Sequence, residues 1–582
     1  MTTRVEGIRG ARTRAALVLA AVAAVAAGAC SLHQRMGSAV RAAPEGNGRS
    51  VCVLFFDGLS EEAFSRLLAE GALPNLKRLV VDRSLRADLA VASIPSETYP
   101  NLAAMLTGLL PGHHGVPANI WLDRRLRRRE AHTNIFRTYS TGDFLLPEAR
   151  TLYERLPADT VAITTPISKG ATVTTKNVAA VFASYLRNDW AFLDRKTLDD
   201  VGDAYAGAID AGRLPSLVWA HLLGPDEVAH YDGPESAEFR KTLAAIDRSF
   251  GRLWRRLARK NAEGKVLFVL VGDHGNSSYD RAVSAEELVH RALFAHPTEA
   301  DCQGEGCVLV ATPPARRGRY DVGEAMVAVG AYRGAMVWLP ANRPPEDLPR
   351  AFRTRRRKAA RRAVRPGPRP PLPSASAFAS ALARMPELRL VVTRGPEPGS
   401  VDVWGPRGRA QVVREEGPEG EALYGYYVLD GEDPLGYQQR EEVRPLVGQP
   451  LPAEVWLTGT ARTDYPDMAV QLAEFFDSPR SPDVYLTPVD GVGFRAARAA
   501  GHGSLARKEM VVPFLFAGPG VKPGRLVAAR TVDLAPTLLR YLDVPFDADE
   551  MDGEDLGIVT LGPDAPYPVP RLPAEPGGYE EP

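Results

Sequence analysis

Residues 51–58 read VCVLFFDG, an apolar run of strand length that ends in Asp57 and a glycine. Two later runs follow the same plan, since SLVWAHLLGP precedes Asp226 and VLFVLVG precedes Asp273. Continuous apolar runs are typical of parallel strands that are buried on both faces. Because ligands bind off the carboxyl ends of strands in open parallel sheets, we expect the three aspartates to converge on one sheet edge.

Residues 51–308 alternate such runs with amphipathic stretches, and this alternation predicts an α/β fold. In FRKTLAAIDRSFGRLWRRLARK, residues 239–260, the apolar residues recur at helical spacing. The chain has 582 residues, more than one core usually holds. It carries 71 basic and 71 acidic residues, so no net field favours nucleic acid and no stable nucleic-acid binding is expected.

Three histidines complete a metal-ligand set with the aspartates. His230 follows Asp226 by four positions, so a helix would place both side chains on one face. His274 follows Asp273 directly, and the two can share an ion only if the loop after the strand is irregular. His502 lies in GHGS. Two zinc-like ions require about six such ligands, so the set predicts a metal-dependent hydrolase.

Each residue also has a simpler interpretation. Asp57-Gly58 is a common turn, the Asp226 and His230 pair is common on surfaces, and His502 lies between glycines as loop residues do. The agreement of placement, chemistry and order across one chain favours the metal site.

These segments resemble the type I phosphodiesterase and nucleotide pyrophosphatase family of the alkaline phosphatase superfamily. FFDG followed by LPNLKRL is similar to the family's first strand, metal-binding aspartate and helix. IPSETYPNLAAMLTGLLPGHHGVPAN is similar to its nucleophile segment, and PDEVAH, GDHG and GHGSLARKEMVVPFLFAGPG follow in the family's order. The resemblance implies an alkaline-phosphatase-like three-layer sandwich with a central mostly parallel sheet and a smaller inserted α+β subdomain.

The resemblance also implies roles for the residues. Thr98 would attack phosphorus and form a covalent phosphothreonine, while Asn119 and the backbone N–H at the start of the Thr98 helix would donate to a phosphate oxygen. Two divalent ions are implied, with zinc expected and manganese also compatible. One ion would be held by Asp57, Thr98, Asp273 and His274, and the other by Asp226, His230 and His502.

Other residues near Thr98 are weaker candidates. Ser96 is a second hydroxyl, but it stands where the family has a noncatalytic residue. No cysteine lies nearby, so the sulfatase branch of the superfamily is disfavoured. His113 and His114 lie in a GHHG stretch, where a turn or supporting role is expected.

The expected substrate is a phosphodiester or nucleotide-like small molecule, because an asparagine donor suits a phosphate with a single charge. The basic run RRLRRR at 124–129 could contact a polyanionic substrate, anionic lipid or only solvent. The alternatives are a phosphomonoesterase or phosphotransferase of the same superfamily, or a noncatalytic binding protein on the same fold.

The N-terminus predicts export to the periplasm or a membrane-anchored lipoprotein. Residues 1–30 join a basic start to about fifteen apolar or small residues, which is signal-peptide length. Cys30 follows AGA as in a lipoprotein processing site, although Ala27 stands where leucine is usual. A lipid anchor at Cys30, cleavage without a lipid and an uncleaved anchor are the alternatives. Cys302 and Cys307 could form a local disulfide, and Cys52 is expected to be buried.

The remaining organisation follows from composition. We expect a tether at 31–50, the catalytic core at 51–308 and 481–545, an inserted region at 309–480 and a tail at 546–582. The inserted region contains an Arg/Pro-rich linker and then ELRLVVTRG, GSVDVWGPRGRAQVV and YGYYVLDG, which read as strands of a small subdomain. This subdomain could cap the site or be purely structural.

Overall fold

The computed structural model describes residues 48–124, 128–133, 137–157, 159–293, 326–339, 375–496 and 498–559. The predicted signal peptide, Cys30, the Cys302 and Cys307 pair and the Arg/Pro-rich linker lie outside these residues. Within them, no helix combines the length and apolar character that a membrane span requires.

A central sheet of eight strands forms the middle layer, and five adjacent strands of it run parallel. In spatial order the strands are Gly524–Leu526, Leu85–Ala87, Phe514–Ala517, Val266–Gly272, Ser50–Phe56, Leu217–Leu222, Thr160–Ile163 and Val173–Thr175. Only Phe514–Ala517 runs antiparallel to both of its neighbours. The predicted α/β class with a mostly parallel sheet is confirmed.

Helices cover both faces of this sheet because its central strand is apolar on both sides. Val51, Val53 and Phe55 belong to one buried core, whereas Cys52 and Leu54 belong to another on the opposite face. The helices of the described residues, including those that pack on the second sheet, are Glu61–Ala69, Pro74–Leu79, Thr98–Thr107, Pro111–His114, Leu152–Arg155, Val178–Arg187, Trp190–Asp210, Gly224–Asp232, Ala237–Arg259, Ala285–Leu293, Ala375–Ala383, Ala453–Gly459, Met468–Asp477, Arg507–Met510 and Leu534–Tyr541. Short 3₁₀ turns occupy Val81–Arg83, Thr138–Phe144, Arg444–Leu446, Thr531–Asp533 and Ala548–Glu550.

The second sheet also has eight strands, and all of its pairings are antiparallel. Its order is Met326–Ala328, Ala335–Trp338, Val484–Pro488, Leu388–Arg394, Ser400–Gly405, Gly408–Glu416, Ala422–Gly431 and Leu451–Pro452. The strands expected from the inserted sequence are therefore present. One face packs on the helix Met468–Asp477, and the other packs on Ala285–Leu293 and Ala375–Ala383.

Two predicted boundaries differ from the pairing and packing that we observe. Val484–Pro488, which the boundary at 480–481 assigned to the catalytic core, pairs inside the second sheet because its alternating side chains serve that sheet's two apolar faces. Ile558, assigned to the tail, is buried in the core. Sequence position alone did not show these contacts.

The remaining strands form small sheets near the loops. Gly491–Gly493, Ser277–Ala282 and Ala500–Gly501 make a three-stranded sheet. Ala529–Arg530 pairs with Ala90–Val91, and Ile120–Asp123 pairs with Arg128–Ala131.

Candidate active site

The carboxyl ends of three adjacent parallel strands bring the aspartates together. Ser50–Phe56 lies between Leu217–Leu222 and Val266–Gly272. Asp57 and Asp273 follow directly on two of these strands, and Asp226 lies in the first turn of the helix after the third. The predicted convergence on one sheet edge is therefore observed.

The first group, here called the acidic cluster, consists of Asp57, Asp273 and His274. His274 Nε2 lies 3.5 Å from Asp57 Oδ1 and 3.3 Å from Asp273 Oδ2. The loop after the strand is irregular, so adjacent residues do face one space. The Thr98 hydroxyl lies at the same place, 3.3 Å from Asp57 Oδ1 and 3.2 Å from His274 Nε2.

The second group, the histidine cluster, consists of Asp226, His230 and His502. The helix Gly224–Asp232 places His230 Nε2 3.2 Å from Asp226 Oδ2, as the four-residue spacing predicted. His502 Nε2 lies 3.7 Å from Asp226 Oδ1. The two clusters are neighbours, since the rings of His274 and His502 stack with centroids 3.6 Å apart.

Backbone carbonyls orient all three histidine rings. His230 Nδ1 lies 3.0 Å from the Ala500 carbonyl, His274 Nδ1 lies 3.2 Å from that of Gly275, and His502 Nδ1 lies 2.7 Å from that of Ser96. A proton on Nδ1 that is donated to a carbonyl leaves the Nε2 lone pair free to bind a cation. Each Nε2 faces the carboxylates of its own cluster.

The two clusters differ in electrostatics. Burial, and then the neighbouring carboxylates of Asp273 and Asp226, raise the pKa of Asp57 well above its usual range. Burial, and then the charge of Asp226, likewise raise the pKa of Asp273. Burial alone would raise the pKa of Asp226 as well, but His230 and His502 lower it well below its usual range.

These residues fit divalent metal ions. Each cluster offers one oxygen or nitrogen atom from each of three residues, and these atoms lie within 4.8 Å of one another. Asp273 Oδ2 is a buried oxygen without a hydrogen-bond partner, which suits an atom that binds a cation. Thr98 can supply a further oxygen to the acidic cluster, and Asp/His donors are typical of zinc.

Thr98 is the first residue of the helix Thr98–Thr107, and the residues around it are firmly held. The Tyr99 N–H donates to Asn119 Oδ1 at 3.0 Å, so this second N–H of the helix is already used. The same bond fixes the Asn119 amide and leaves its Nδ2 donor for an anion. Glu97 Oε2 accepts the Asn119 backbone N–H at 2.5 Å.

Ser96 and His114 serve the structure around Thr98. Ser96 Oγ donates to the Ser504 carbonyl and accepts the Gly503 N–H, which joins the Thr98 segment to the His502 loop. His114 Nε2 contacts the Pro100 carbonyl at 3.1 Å. Both contacts favour supporting roles, as the sequence suggested.

His113 and the basic run lie in other networks. His113 Nδ1 contacts the Asp552 carboxylate at 2.8 Å, and Nε2 contacts Glu474 at 3.2 Å. His113 also belongs to a third group with metal-like spacing, but Arg414 Nη1 already lies 3.3 Å from the same Glu474 oxygen. Arg124, at the start of RRLRRR, pairs with Asp483 at 2.9 Å.

Sequence reasoning missed two polar residues beside the ligands. His221 Nε2 contacts Asp57 Oδ2 at 2.7 Å, and burial lowers the pKa of His221 to about 3, so its ring is neutral. The signal was a histidine inside the apolar strand Leu217–Leu222. Asn276 Nδ2 donates to Asp226 Oδ1 at 2.9 Å. Gly58, at φ +70°, leaves room for this contact, because a Cβ there would lie 2.6 Å from Asp226 Oδ1.

Known proteins are similar to this chain in fold or in part of the sequence. An inactive threonine-to-alanine variant of murine ectonucleotide pyrophosphatase/phosphodiesterase 5, solved in complex with AMP, aligns with a TM-score of 0.50 and 13% identity. The alignment covers 85% of this chain and 96% of that structure. At this identity the similarity concerns the fold, and it confirms the predicted alkaline-phosphatase-like sandwich.

Curated relatives match over shorter stretches. An uncharacterised pyrophosphatase/phosphodiesterase of Schizosaccharomyces pombe is 23% identical over 249 residues, which cover 42% of this chain and 49% of that protein. The catalytic subunit of GPI ethanolamine phosphate transferase 3 of Homo sapiens is 34% identical over 107 residues, or 18% of this chain and 9% of that protein. The chain therefore matches about half of the length of such relatives or less.

The family assignment rests on a longer match. The family model described as "Type I phosphodiesterase / nucleotide pyrophosphatase" matches residues 51–345, just over half of the chain. This range includes the acidic cluster, Thr98, Asn119, Asp226 and His230, and the predicted family is confirmed. The chain belongs to the type I phosphodiesterase/nucleotide pyrophosphatase family.

Proposed function

We propose that this protein is a metal-dependent hydrolase that cleaves phosphodiester or pyrophosphate bonds of nucleotide-like small molecules through a covalent phosphothreonine. One observation carries the proposal. The Thr98 hydroxyl lies at a helix start and within 3.3 Å of both Asp57 and His274, beside a second cluster of ligands. A hydroxyl is a weak nucleophile, and this setting can activate it.

In the first step, Thr98 Oγ1 forms a bond to phosphorus while the bond from phosphorus to the leaving oxygen breaks. The hydroxyl proton of Thr98 has Asp57 Oδ1 as its acceptor, and water supplies a proton to the leaving oxygen. Asn119 Nδ2 donates to a nonbridging phosphate oxygen, where negative charge increases in the transition state. The product of this step is phosphothreonine.

In the second step, water attacks phosphorus and loses a proton to solvent while the bond to Thr98 Oγ1 breaks. The proton that Asp57 accepted returns to Thr98 Oγ1 and restores the hydroxyl. Asp57, Thr98, Asp273 and His274 would hold one ion, and Asp226, His230 and His502 the other. When bound, such ions supply Lewis-acid stabilisation of negative oxygens. The histidines bind through Nε2 because their Nδ1 atoms are held by backbone carbonyls.

One consideration favours a diester, and a second favours a nucleotide-like molecule. Asn119 is a neutral donor and suits a phosphate with one charge rather than two. The murine relative of the same fold was solved with AMP, and its threonine-to-alanine variant is inactive. Together they favour a nucleotide-like phosphodiester as the substrate.

The test compares bis(p-nitrophenyl) phosphate with p-nitrophenyl phosphate, using metal-stripped protein before and after zinc is restored. We expect zinc-dependent turnover and a preference for the diester. A preference for the monoester would move the protein to the phosphatase branch of the superfamily. Undiminished turnover of the metal-stripped protein would contradict the metal-dependent function.

A second candidate function is transfer of the phosphoryl-linked group to an alcohol instead of water. It is supported by the 34% identity over 107 residues to the human GPI ethanolamine phosphate transferase subunit. The first step would be unchanged, and an acceptor hydroxyl would attack phosphothreonine. Product analysis in the presence of ethanol or glycerol distinguishes the two, because transfer yields a new phosphodiester and hydrolysis does not.

We also propose export, with Cys30 as a possible lipid attachment site. The basis is the basic and then apolar sequence of residues 1–30. Fractionation of cells that express the full chain and a Cys30→Ser variant tests this. Loss of membrane association in the variant alone would indicate a lipid anchor, and retention of both in the cytoplasm would contradict export.

A further inference from the structure

A buried ion pair connects the second sheet to the candidate active site. Arg333 Nε donates to Glu509 Oε1 at 2.7 Å, and the side chains are only 2% and 0% exposed. Arg333 belongs to the segment between the strands Met326–Ala328 and Ala335–Trp338, whereas Glu509 lies in the helix Arg507–Met510. The pair therefore joins the second sheet to the segment that follows His502.

The backbone around Arg333 forms hydrogen bonds directly with the His502 backbone. The Arg333 N–H donates to the His502 carbonyl at 2.8 Å, and the His502 N–H donates to the Ala331 carbonyl at 2.8 Å. Tyr485, from the same sheet, donates its hydroxyl to the Gly503 carbonyl. Space is also tight there, because a Cβ on Gly334 would lie 2.1 Å from the Gly503 carbonyl oxygen.

Glu509 forms hydrogen bonds with residues next to a histidine of each cluster. Glu509 Oε2 accepts the Ser504 N–H at 2.6 Å, two residues after His502. The Glu509 carbonyl accepts the Gly275 N–H at 2.8 Å, and Gly275 in turn holds the ring of His274. A residue outside either cluster thus fixes the loops that carry a histidine of each.

We propose that Arg333 and Glu509 are positioning residues for the second ion, and that the second sheet is required for the His502 ligand geometry. The inference rests on the proposed metal-dependent function. A ligand held by a rigid support binds metal more tightly than the same ligand on a loose loop, and loss of such support typically lowers metal affinity by about 10- to 100-fold. The residues make no contact with substrate in this role.

Removing one member of a buried ion pair leaves an uncompensated charge and can prevent folding. The test therefore uses the charge-neutral double variant Arg333→Met/Glu509→Gln. Arg530 and Asp467 provide a matched control, since they form another buried pair, with distances of 2.7 and 2.8 Å, and Arg530 also bonds to the Ala453 carbonyl. The control variant is Arg530→Met/Asp467→Asn.

Zinc affinity of the full-length, metal-stripped variants is measured by competition with a chromophoric chelator, alongside urea unfolding. We expect affinity for one ion to fall by about 10- to 100-fold in Arg333→Met/Glu509→Gln and to change less than about twofold in the control, even at similar losses of stability. Unchanged affinity in the first variant would overturn the proposal. An equal loss in both variants would do so as well, because the effect would then be global.

Hydrogen exchange of the metal-free proteins gives a readout that does not depend on zinc. Peptides that cover residues 499–506 should exchange faster in Arg333→Met/Glu509→Gln and at the parent rate in the control. Equal rates in all three proteins would overturn the proposal. If the parent protein binds no zinc, the metal-dependent function fails, while the exchange data still decide whether the pair holds the His502 loop.

Discussion

The acidic cluster and the histidine cluster use the same ligand types but differ in charge balance. In the acidic cluster, Asp57 and Asp273 are buried near each other and their pKa values are raised. In the histidine cluster, Asp226 has imidazoles on two sides and its pKa is lowered. The ionised carboxylates of the acidic cluster therefore lack nearby compensating charge, whereas Asp226 of the histidine cluster has two imidazoles beside it.

Thr98 provides the largest expected effect, because it is the proposed nucleophile and its hydroxyl contacts Asp57 and His274 of the acidic cluster. We predict that Thr98→Ala lowers turnover by about 1,000-fold or more, since the covalent step cannot occur. Metal content should stay at about two ions per chain, because the other ligands remain. Kinetics and metal analysis of the same sample check this, with Thr98→Ser as the control that keeps a hydroxyl. Normal turnover of Thr98→Ala would reject the nucleophile assignment.

His502 tests whether the histidine cluster binds its own ion. We predict that His502→Ala lowers the affinity for one zinc ion by at least about 100-fold, because the histidine cluster loses one of its three ligands. The affinity for the other ion should be nearly unchanged, because the acidic cluster keeps its ligands. His113→Ala is the matched control, since His113 lies outside both clusters. Chelator competition gives the affinities. Equal zinc binding by His502→Ala and parent would remove His502 from the ligand set.

The charge difference predicts opposite stability effects in metal-free protein at pH 7. Asp273→Asn should raise the free energy of unfolding by ~1–3 kcal/mol, because it removes a carboxylate whose ionised form is disfavoured by burial. Asp226→Asn should lower it by a similar amount, because it removes the partner of His230 and His502. Urea unfolding measures both. Effects of the same sign would contradict the comparison.

The contributions of Asp273 and Asp226 to the free energy of unfolding also depend on pH. The raised pKa of Asp273 means that the folded state holds its proton more strongly, so this group's contribution becomes more favourable as pH falls. The lowered pKa of Asp226 stabilises the fold above its usual range, and that contribution is lost as pH falls further. The pH dependence of stability that Asp273 contributes should therefore be absent from Asp273→Asn, and the one that Asp226 contributes should be absent from Asp226→Asn.

We expect the smallest effect at His113, which lies outside both clusters. Burial lowers its pKa, but hydrogen bonds to Asp552 and Glu474 outweigh burial and raise it to about 10. Its stabilisation is therefore complete below the ordinary histidine pKa and is lost as pH rises through about 10. We predict that His113→Gln lowers the free energy of unfolding by ~1–2 kcal/mol near neutral pH and has little effect above the raised pKa. Zinc affinity should not change, and a large change would place His113 in the metal site.

The sequence predicted the strand-end aspartates well because local patterns carried the information. Asp57 and Asp273 follow apolar runs that are typical of buried strands, and the spacing of Asp226 and His230 required only one helical turn. His221 was missed although a lone histidine in an apolar strand is a visible signal. Asn276 was missed because its role depends on Asp226, which is distant in sequence.

The sequence by itself determined the α/β class and the candidate ligands, because periodicity and residue chemistry are local properties. The resemblance of its motifs to a known family indicated the family and Thr98. Only the tertiary structure decided that Val484–Pro488 joins the second sheet, that Asn119 receives the Tyr99 N–H, and that Arg333 and Glu509 hold the His502 loop. These facts depend on contacts between segments far apart in the chain, and such contacts are set by packing rather than by any local pattern.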